Sequence, residues 1–401
     1  MVKKELVRTY KFRLYPSKIV VGAMGKTLDA CRFLYNTELE YEEQVYLSKK
    51  EYVSRTELNS LILDWRVINP NLKFVYSQVL QEVTARLGKA FENFFRRVQA
   101  GGRAGFPRFK SEQVYNSFTY PQTGFKLENS NLKLSKIGSI GIRLHRKLVG
   151  KVKTLTIERM PSGKWFACFT VTKEIEIKKR DVRASVGIDL GLHSFYADSE
   201  GNTVDNPKWF RKSEEKLASL QRKKSRKKKG SNNWKKAKLK VAKAHEKIVN
   251  QRNDFLHKES RKIADLYFFV AVEKLSIRHM IKNRYLSKSV ADASWSKFLN
   301  YLTYKVEETG GQIIEIEAIN TSQYCICGNK VQKSLATRIH RCSRCNKEVD
   351  RDVMSAILVR RLALDYCVPL EQRELTLAEM FNGTSMKQEV SATDAQHFSA
   401  G

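Results

Sequence analysis

The chain has 401 residues, 42 % hydrophobic and 10 % aromatic, which is too long for one small core and apolar enough to fold as roughly two to four modules. Its 74 Lys and Arg against 42 Asp and Glu leave a net charge of +32, which repels itself unless a polyanion is present, so nucleic acid is the first partner implied and an anionic membrane surface the second. No apolar run approaches the ~20 residues of a membrane span, and no amphipathic anchor, lipidation signal or signal-peptide stretch stands out, so a reducing compartment, the cytoplasm, is expected.

Tyr10 to Tyr15 alternates aromatic or apolar with basic residues and stops at Pro16, which predicts a strand. Helical segments follow, one carrying Leu28, Cys31, Phe33, Leu34 and Tyr35. A second is predicted from Ser77 to Val98, because Leu80, Val83, Leu87, Phe91, Phe94 and Val98 recur at helical spacing. That stripe reads as ordinary core, and it leaves Gln78, Gln81, Arg86 and Lys89 free to touch DNA. Gly101 to Lys110 breaks the helix with glycines, a proline and alternating cations and aromatics, among them Arg108 and Lys110. Such a loop suits a phosphate backbone, and a plain surface turn fits it equally well.

From Phe118 to Thr172 the pattern is β. The clearest hairpin pairs Thr154–Met160 with Trp165–Thr172 across Pro161-Ser-Gly163, and a compact barrel would use such strands. Composition turns charged at Lys178 to Arg183, marking a boundary. Ala184 to Gly191 is then an apolar strand with one carboxylate, and Ser194 to Asp198 is a second, turning at Ser199 to Asn202. Trp209 to Asp265 is helical and strongly basic, and Arg222 to Lys229, with Lys223, Lys224 and Arg226, has one uncharged residue in eight. This run is either a solvated charge cluster or a phosphate-tracking element. Leu266 to Val272 returns to β, and from about Val368 the chain looks weakly structured.

Three carboxylates stand at the ends of apolar elements. Asp189 lies between Ile188 and Leu190, Glu273 follows Phe268 to Val272, and Asp352 opens a helix containing Ile357, Leu358 and Leu362. An unpaired carboxylate in an apolar strand is expensive to bury. Three that converge can hold two Mg²⁺ ions through oxygen ligands, the arrangement that activates water against a phosphodiester. Singly, each residue has a plain structural reading, with Asp352 as a helix cap.

Four of the seven cysteines crowd into Cys325–Cys345. In a reducing compartment they are thiols or metal ligands rather than disulfides. Cys325 and Cys327, then Cys342 and Cys345, flank a basic ribbon, which predicts a structural Zn²⁺ with all four positions filled. The first pair is one residue shorter than Cys-x-x-Cys, and His340 is the reserve ligand.

The order of these motifs is specific. Gly187-Ile-Asp-Leu-Gly191, Val272-Glu-Lys-Leu275, a cysteine ribbon and Asp350-Arg-Asp-Val-Met-Ser-Ala356 together resemble the TnpB (OrfB) proteins of bacterial insertion sequences, relatives of type V CRISPR effectors. Tyr10 to Pro16, Ala30 to Phe33, Gly105 to Ser111 and Pro161 to Trp165 extend the resemblance over nearly the whole chain.

The resemblance implies an α/β multidomain protein. Residues 1–16 and 105–182 would form a β-barrel wedge domain and 17–104 a helical recognition lobe. Residues 183–319 and 349–367 would form an RNase H-like RuvC nuclease core, interrupted by a zinc module at 320–348 and followed by a disordered tail at 368–401. Asp189, Glu273 and Asp352 would be the catalytic Mg²⁺ ligands, guide RNA and target DNA the partners, and Gln78 and Gln81 would approach a short motif beside the target. Met354 stands where Asn is expected, and the loss of a polar neighbour would loosen Asp352. The reaction implied is RNA-guided cleavage of DNA, the RNA supplying sequence recognition. A nuclease-inactive repressor, a transposase proper and a compact CRISPR effector are the other readings; the intact carboxylates argue against the first, and no strand-transfer motif supports the second.

Overall fold

The computed structural model describes residues 2–102, 104–177, 184–317, 323–333 and 337–367. The charged boundary at 178–183, Arg103 and the tail 368–401 lie outside the described residues. The chain divides into two compact units, Met1–Glu176 with Glu215–Lys247, and Ile177–Glu214 with Ile248–Gly401.

In the first unit, strand β1 (Val2–Tyr15) is longer than its alternating core, Tyr10–Tyr15. Pro16 stops it, and the Ser17 side chain accepts from the Val20 N–H to start helix α1 (Lys18–Lys49). Ser54 caps α2 (Arg55–Ile68) in the same way through Glu57 N–H. Helix α3 (Ser77–Gln99) matches the predicted span within a residue. Leu80, Val83, Leu87 and Phe91 are buried, worth roughly 2 kcal/mol each, whereas Val98 at the far end is exposed. Thr84 on α3 donates to the fully buried Glu38 of α1 at 2.6 Å, and burial pushes that carboxyl up to about 8, so it stays protonated at neutral pH.

Six more strands follow: β2 (Ser117–Tyr120), β3 (Phe125–Glu128), β4 (Asn131–Leu134), β5 (Gly138–Arg143), β6 (Lys151–Arg159) and β7 (Trp165–Ile177). The expected hairpin is β6–β7, with Arg159 opposite Trp165 and the turn relieved by Gly163 at φ 80°. The sheet order is β2-β6-β7-β1-β5-β4-β3. Its two edge strands are consecutive in the chain, and their rings meet, Tyr120 to Phe125 at 6.3 Å. The sheet is therefore curled into a nearly closed barrel around Phe12, Leu14, Phe118, Leu155 and Phe169, all buried.

The second unit opens with β8 (Ser185–Leu190), β9 (Ser194–Asp198) and β10 (Thr203–Asp205). Helices α4 (Trp209–Ser225) and α5 (Asn232–Leu266) follow, the first beginning in this unit and the second ending in it. The chain continues through β11 (Phe269–Lys274), α6 (Ile277–Lys282), α7 (Ser287–Ala293), α8 (Trp295–Glu308) and β12 (Gln312–Glu317), then β13 (Ile339–Arg341), β14 (Glu348–Asp350) and α9 (Arg351–Cys367). The sheet order is β10-β9-β8-β11-β12. Strands β8 to β10 are antiparallel in sequence, and β11 and β12 run parallel to β8. Three consecutive antiparallel strands extended by two parallel ones is the arrangement of an RNase H-like core.

Strand periodicity sorts this sheet into two faces. Val186, Ile188, Leu190, Val270 and Val272 enter the core with Phe195, Leu256, Phe298 and Leu302. Phe269 and Ala271 face the other way and pack against Val359, Ala363 and Leu364 of α9. Gly187 is on that second face, and its glycine identity is a packing requirement. A Cβ there would stand 2.0 Å from the Ala356 carbonyl oxygen and 2.8 Å from Arg360 N, both backbone atoms that cannot yield. Gly187→Ala is therefore expected to lift α9 from β8 at a cost of about 3 kcal/mol. Thermal melting of the variant checks this; an unchanged melting temperature would contradict it.

Candidate active site and zinc module

Asp189 and Glu273 arise from one register. Ile188 lies beside Val272 in the parallel pair β8–β11, so the next residue of each strand projects from the α9-facing side. The two carboxyl groups lie close enough to affect each other's ionisation. Burial pushes Asp189 well above the carboxylate range, and the neighbouring charges of Glu273 and Asp352 push further. Burial also raises Glu273.

Asp352 sits in the first turn of α9, where the helix dipole favours a carboxylate. It is not the cap. Asp350 Oδ1 accepts from the N–H groups of Asp352 at 2.8 Å and Val353 at 3.3 Å, so Asp350 does that work and leaves the Asp352 carboxylate available. Asp352 Oδ2 lies 4.0 Å from where a side chain on Gly191 would begin, and Arg338 Nη1 approaches it at 3.5 Å. Gly187 thus clears space for α9, whereas a Cβ on Gly191 would meet the Ser194 carbonyl oxygen at 2.9 Å, so that glycine serves the β8–β9 turn.

The three carboxylates gather at one end of the sheet, but they do not collapse onto a point. Among the described residues, only the cysteine set brings every ligand atom within 4.8 Å of every other. The donor chemistry of the carboxylate set, oxygen ligands crowded enough that burial and the charges of Glu273 and Asp352 raise Asp189, fits a hard cation such as Mg²⁺.

Cys325, Cys327, Cys342 and Cys345 form the second cluster. Cys325 and Cys345 sulfurs are 3.5 Å apart, as are those of Cys327 and Cys342. Tetrahedral Zn–S bonds of ~2.3 Å place sulfurs about 3.8 Å apart, so four thiolates at this spacing fit zinc. The short first knuckle closes through a turn in which Gly328, at φ 81°, donates its N–H to the Cys325 carbonyl at 2.9 Å. Burial works to raise the Cys342 thiol, but N–H groups of Cys345 and Arg344 and the Asn329 amide at 3.6 Å outweigh it and bring it to about 6. Cys325 is pushed up to about 12 by burial and its neighbouring thiols. His340 is outside the ligand set. It is fully buried on β13, and both ring nitrogens lack a hydrogen-bond partner.

Met354 has a different role from the one its position suggested. It is fully buried against Cys325, Cys342 and Leu358, so it seats the cysteine module on α9 and is no polar neighbour of Asp352. An Asn at this site would bring an amide into an apolar joint.

The proposed nucleic-acid residues are spread over the first unit. Gln81 is exposed on α3, while Gln78 is half-buried and accepts from Thr123 Oγ1 at 2.8 Å. Arg86, expected to be free, donates to the Ser117 carbonyl at 2.9 Å and lies over the Tyr115 ring. The loop after α3 folds back on it, with Phe106 5.5 Å from both Phe91 and Phe94. Asn36 pairs with the Lys110 backbone through both amide atoms, and the Lys110 ammonium lies 5.4 Å from the Tyr35 ring. Arg108 is the cation of this pair that projects outward. Lys223 and Arg226 are exposed and Lys224 half-buried where α4 ends. No helix among the described residues is long and apolar enough to cross a membrane.

Known proteins match this arrangement. A family model for IS605 OrfB, described as "Probable transposase", matches residues 168–284; a Cas12f1-like TNB domain model matches 295–359; a helix-turn-helix model matches 1–51. Residues 1–51 are here one strand and one long helix. "Putative RNA-guided DNA endonuclease InsQ" of Escherichia coli (strain K12) is 31 % identical over 371 residues, 87 % of this chain and 90 % of that protein. "Putative RNA-guided DNA endonuclease" of Streptomyces pristinaespiralis is 32 % identical over 375 residues, 91 % and 92 % of the two chains. A solved Cas12f1–sgRNA–target DNA complex shares the fold, with a TM-score of 0.59 at 12 % identity over 89 % of this chain and 99 % of that one. With a nearly full-length relative above 30 % identity and matching models along its length, the chain belongs to the TnpB (OrfB) family.

Proposed function

We propose that this chain is an RNA-guided DNA endonuclease, encoded by a transposon, that cuts DNA beside a short flanking motif by Mg²⁺-dependent hydrolysis. The observation that carries the reading is the convergence of Asp189, Glu273 and Asp352 at the end of an RNase H-like sheet, in a chain whose relatives bear the endonuclease name. The three carboxylates hold the ions. When bound, a Mg²⁺ pair activates water and stabilises the leaving oxygen of the phosphodiester. Asp350 fixes the first turn of α9, and Gly187 allows α9 to approach the strands.

In the same reading residues 1–16 and 105–182 act as the wedge domain, 17–104 as the recognition lobe, 183–319 with 349–367 as the nuclease core, and 320–348 as a zinc module. Guide RNA and DNA phosphates meet Arg108, Lys110, Lys223, Lys224 and Arg226, and Gln78 and Gln81 approach the flanking motif. The +32 charge supports a binding energy drawn from many phosphates.

The test is expression with the native locus. The protein is expected to purify with a discrete RNA whose affinity falls steeply with salt. With that RNA it is expected to cut a plasmid bearing a guide-matched site within a library of flanking sequences. Only random RNA fragments, or binding of the matched site without cleavage under any divalent metal, would overturn the reading, the latter in favour of a repressor.

A further inference from the structure

The α6–α7 hairpin begins only three residues after Lys274, at the end of the strand that carries Glu273. From Leu275 to Ala291 it contains no acidic residue, while Arg278, Lys282, Arg284 and Lys288 are cations. Its two ends are firmly held. Leu275, Ile277 and Met280 pack at the edge of the second core, and Val290 and Ala293 lie within it. Asp292 accepts from Arg252 at 2.6 Å and from the Phe210 N–H at 3.0 Å, and Lys288 pairs with Glu214 at 2.6 Å.

The tip between these anchors is exposed throughout, from Ile281 to Leu286. Asn283 shapes it: its carbonyl accepts from Leu286 and Ser287, and its side chain accepts from the Tyr285 N–H at 3.0 Å. Tyr285 is 75 % exposed, and the Arg284 guanidinium lies 4.9 Å from its ring centroid and donates to its hydroxyl at 3.2 Å. A tyrosine so exposed, held on a hydrogen-bonded turn, beside a cation and within a stretch of sequence free of acids, has the features of a base-stacking platform.

We infer that the α6–α7 tip binds unpaired DNA, a base stacking on Tyr285 beside Arg284 while Arg278 and Lys282 contact the flanking phosphates, and so positions the strand for the carboxylates. This rests on the nuclease reading for its purpose, not for its binding. Stacking requires an unpaired base, so the same sequence as a duplex gains nothing from Tyr285. Tyr285 is a positioning residue; its ring acts on the strand and not on the metals.

The test uses the full-length protein with its co-purified RNA and a single-stranded DNA oligonucleotide carrying 2-aminopurine. Wild type is expected to quench the probe. Tyr285→Ala is expected to bind it about ten-fold more weakly without quenching, Tyr285→Phe to retain both, and affinity for the matching duplex to stay unchanged in either variant. In cleavage of a guide-matched single-stranded substrate, Tyr285→Ala is expected to raise KM more than it lowers kcat. Equal quenching by wild type and Tyr285→Ala overturns the platform. So does an equal loss on duplex DNA, which would mean phosphate contact alone, or a loss confined to an RNA version of the oligonucleotide. Wild type that quenches but never cuts leaves the platform standing and removes the nuclease reading, so the two failures are separable.

Discussion

Alanine at Asp189, Glu273 or Asp352 is expected to lower guided DNA cleavage by at least ~10³-fold while guide RNA and target binding stay within about two-fold. The separation follows from where the energy comes from. Affinity is the sum of many cationic contacts to phosphate, and none of the three carboxylates contributes to it. The folded protein should not suffer either. Asp189 is a partly buried carboxyl crowded by Glu273 and Asp352, and burial with like charge holds it above its ordinary range. Removing it relieves that crowding, so Asp189→Ala is expected to melt at or above the wild-type temperature. Loss of cleavage together with an undiminished melting temperature identifies a chemical role. A variant that loses cleavage only because it unfolds, or any single variant that still cuts at near wild-type rate, contradicts the assignment. Wild-type cleavage is expected to require Mg²⁺ or Mn²⁺ and to stop with EDTA.

Much of this site could be read from residue order, because the signals are local. The alternation in β6 and β7, the apolar stripe of α3 and the apolar runs around Asp189 and Glu273 each depend on a period that survives in one dimension. What was not legible depends on partners far away in sequence. Gly187 looks like part of a motif, but only the approach of Ala356 and Arg360 explains why no side chain is tolerated. Met354 looks like a missing polar group, yet it faces Cys325 and Cys342 across a joint that spacing does not reveal. Arg86 looks like an outward cation until Ser117 and Tyr115 pack beside it. Asp350 and Asp352 are two residues apart and equally acidic, and only the hydrogen bonds separate cap from candidate ligand. Tyr285 gives no periodic signal, since an exposed aromatic in a short turn resembles any loop residue until its exposure is known. The length of α1 was hidden because its buried residues crowd into its first two-thirds, from Met24 to Leu39.

Loss of zinc is expected to act on the carboxylate site through α9. The cysteine module and the start of this helix are tied at several points. The Arg351 N–H donates to the Arg338 carbonyl at 2.7 Å, Arg338 pairs with Asp352 at 3.5 Å, Arg361 donates to the Ile326 carbonyl, and Met354 fills the space against Cys325 and Cys342. Wild-type protein is expected to carry about one zinc per chain by elemental analysis, a structural ion whose binding is worth about 10–16 kcal/mol in small zinc domains. Cys342→Ser removes the thiol that its surrounding N–H groups bring down to about 6, the one most ready to ligate near neutral pH. The variant is expected to lose the zinc, melt earlier, and cut DNA roughly 10- to 100-fold more slowly, with Asp352 no longer held in the first turn of α9. Added zinc should not restore it. Cys168→Ser, in β7 of the barrel, is the control, and it should leave both zinc content and cleavage unchanged. The split between binding and cutting distinguishes this from general unfolding: RNA binding by the first unit should survive in Cys342→Ser while cleavage falls. Fully active protein without zinc, or a Cys342→Ser variant that loses zinc yet cuts as well as wild type, would show that α9 keeps Asp352 in place unaided.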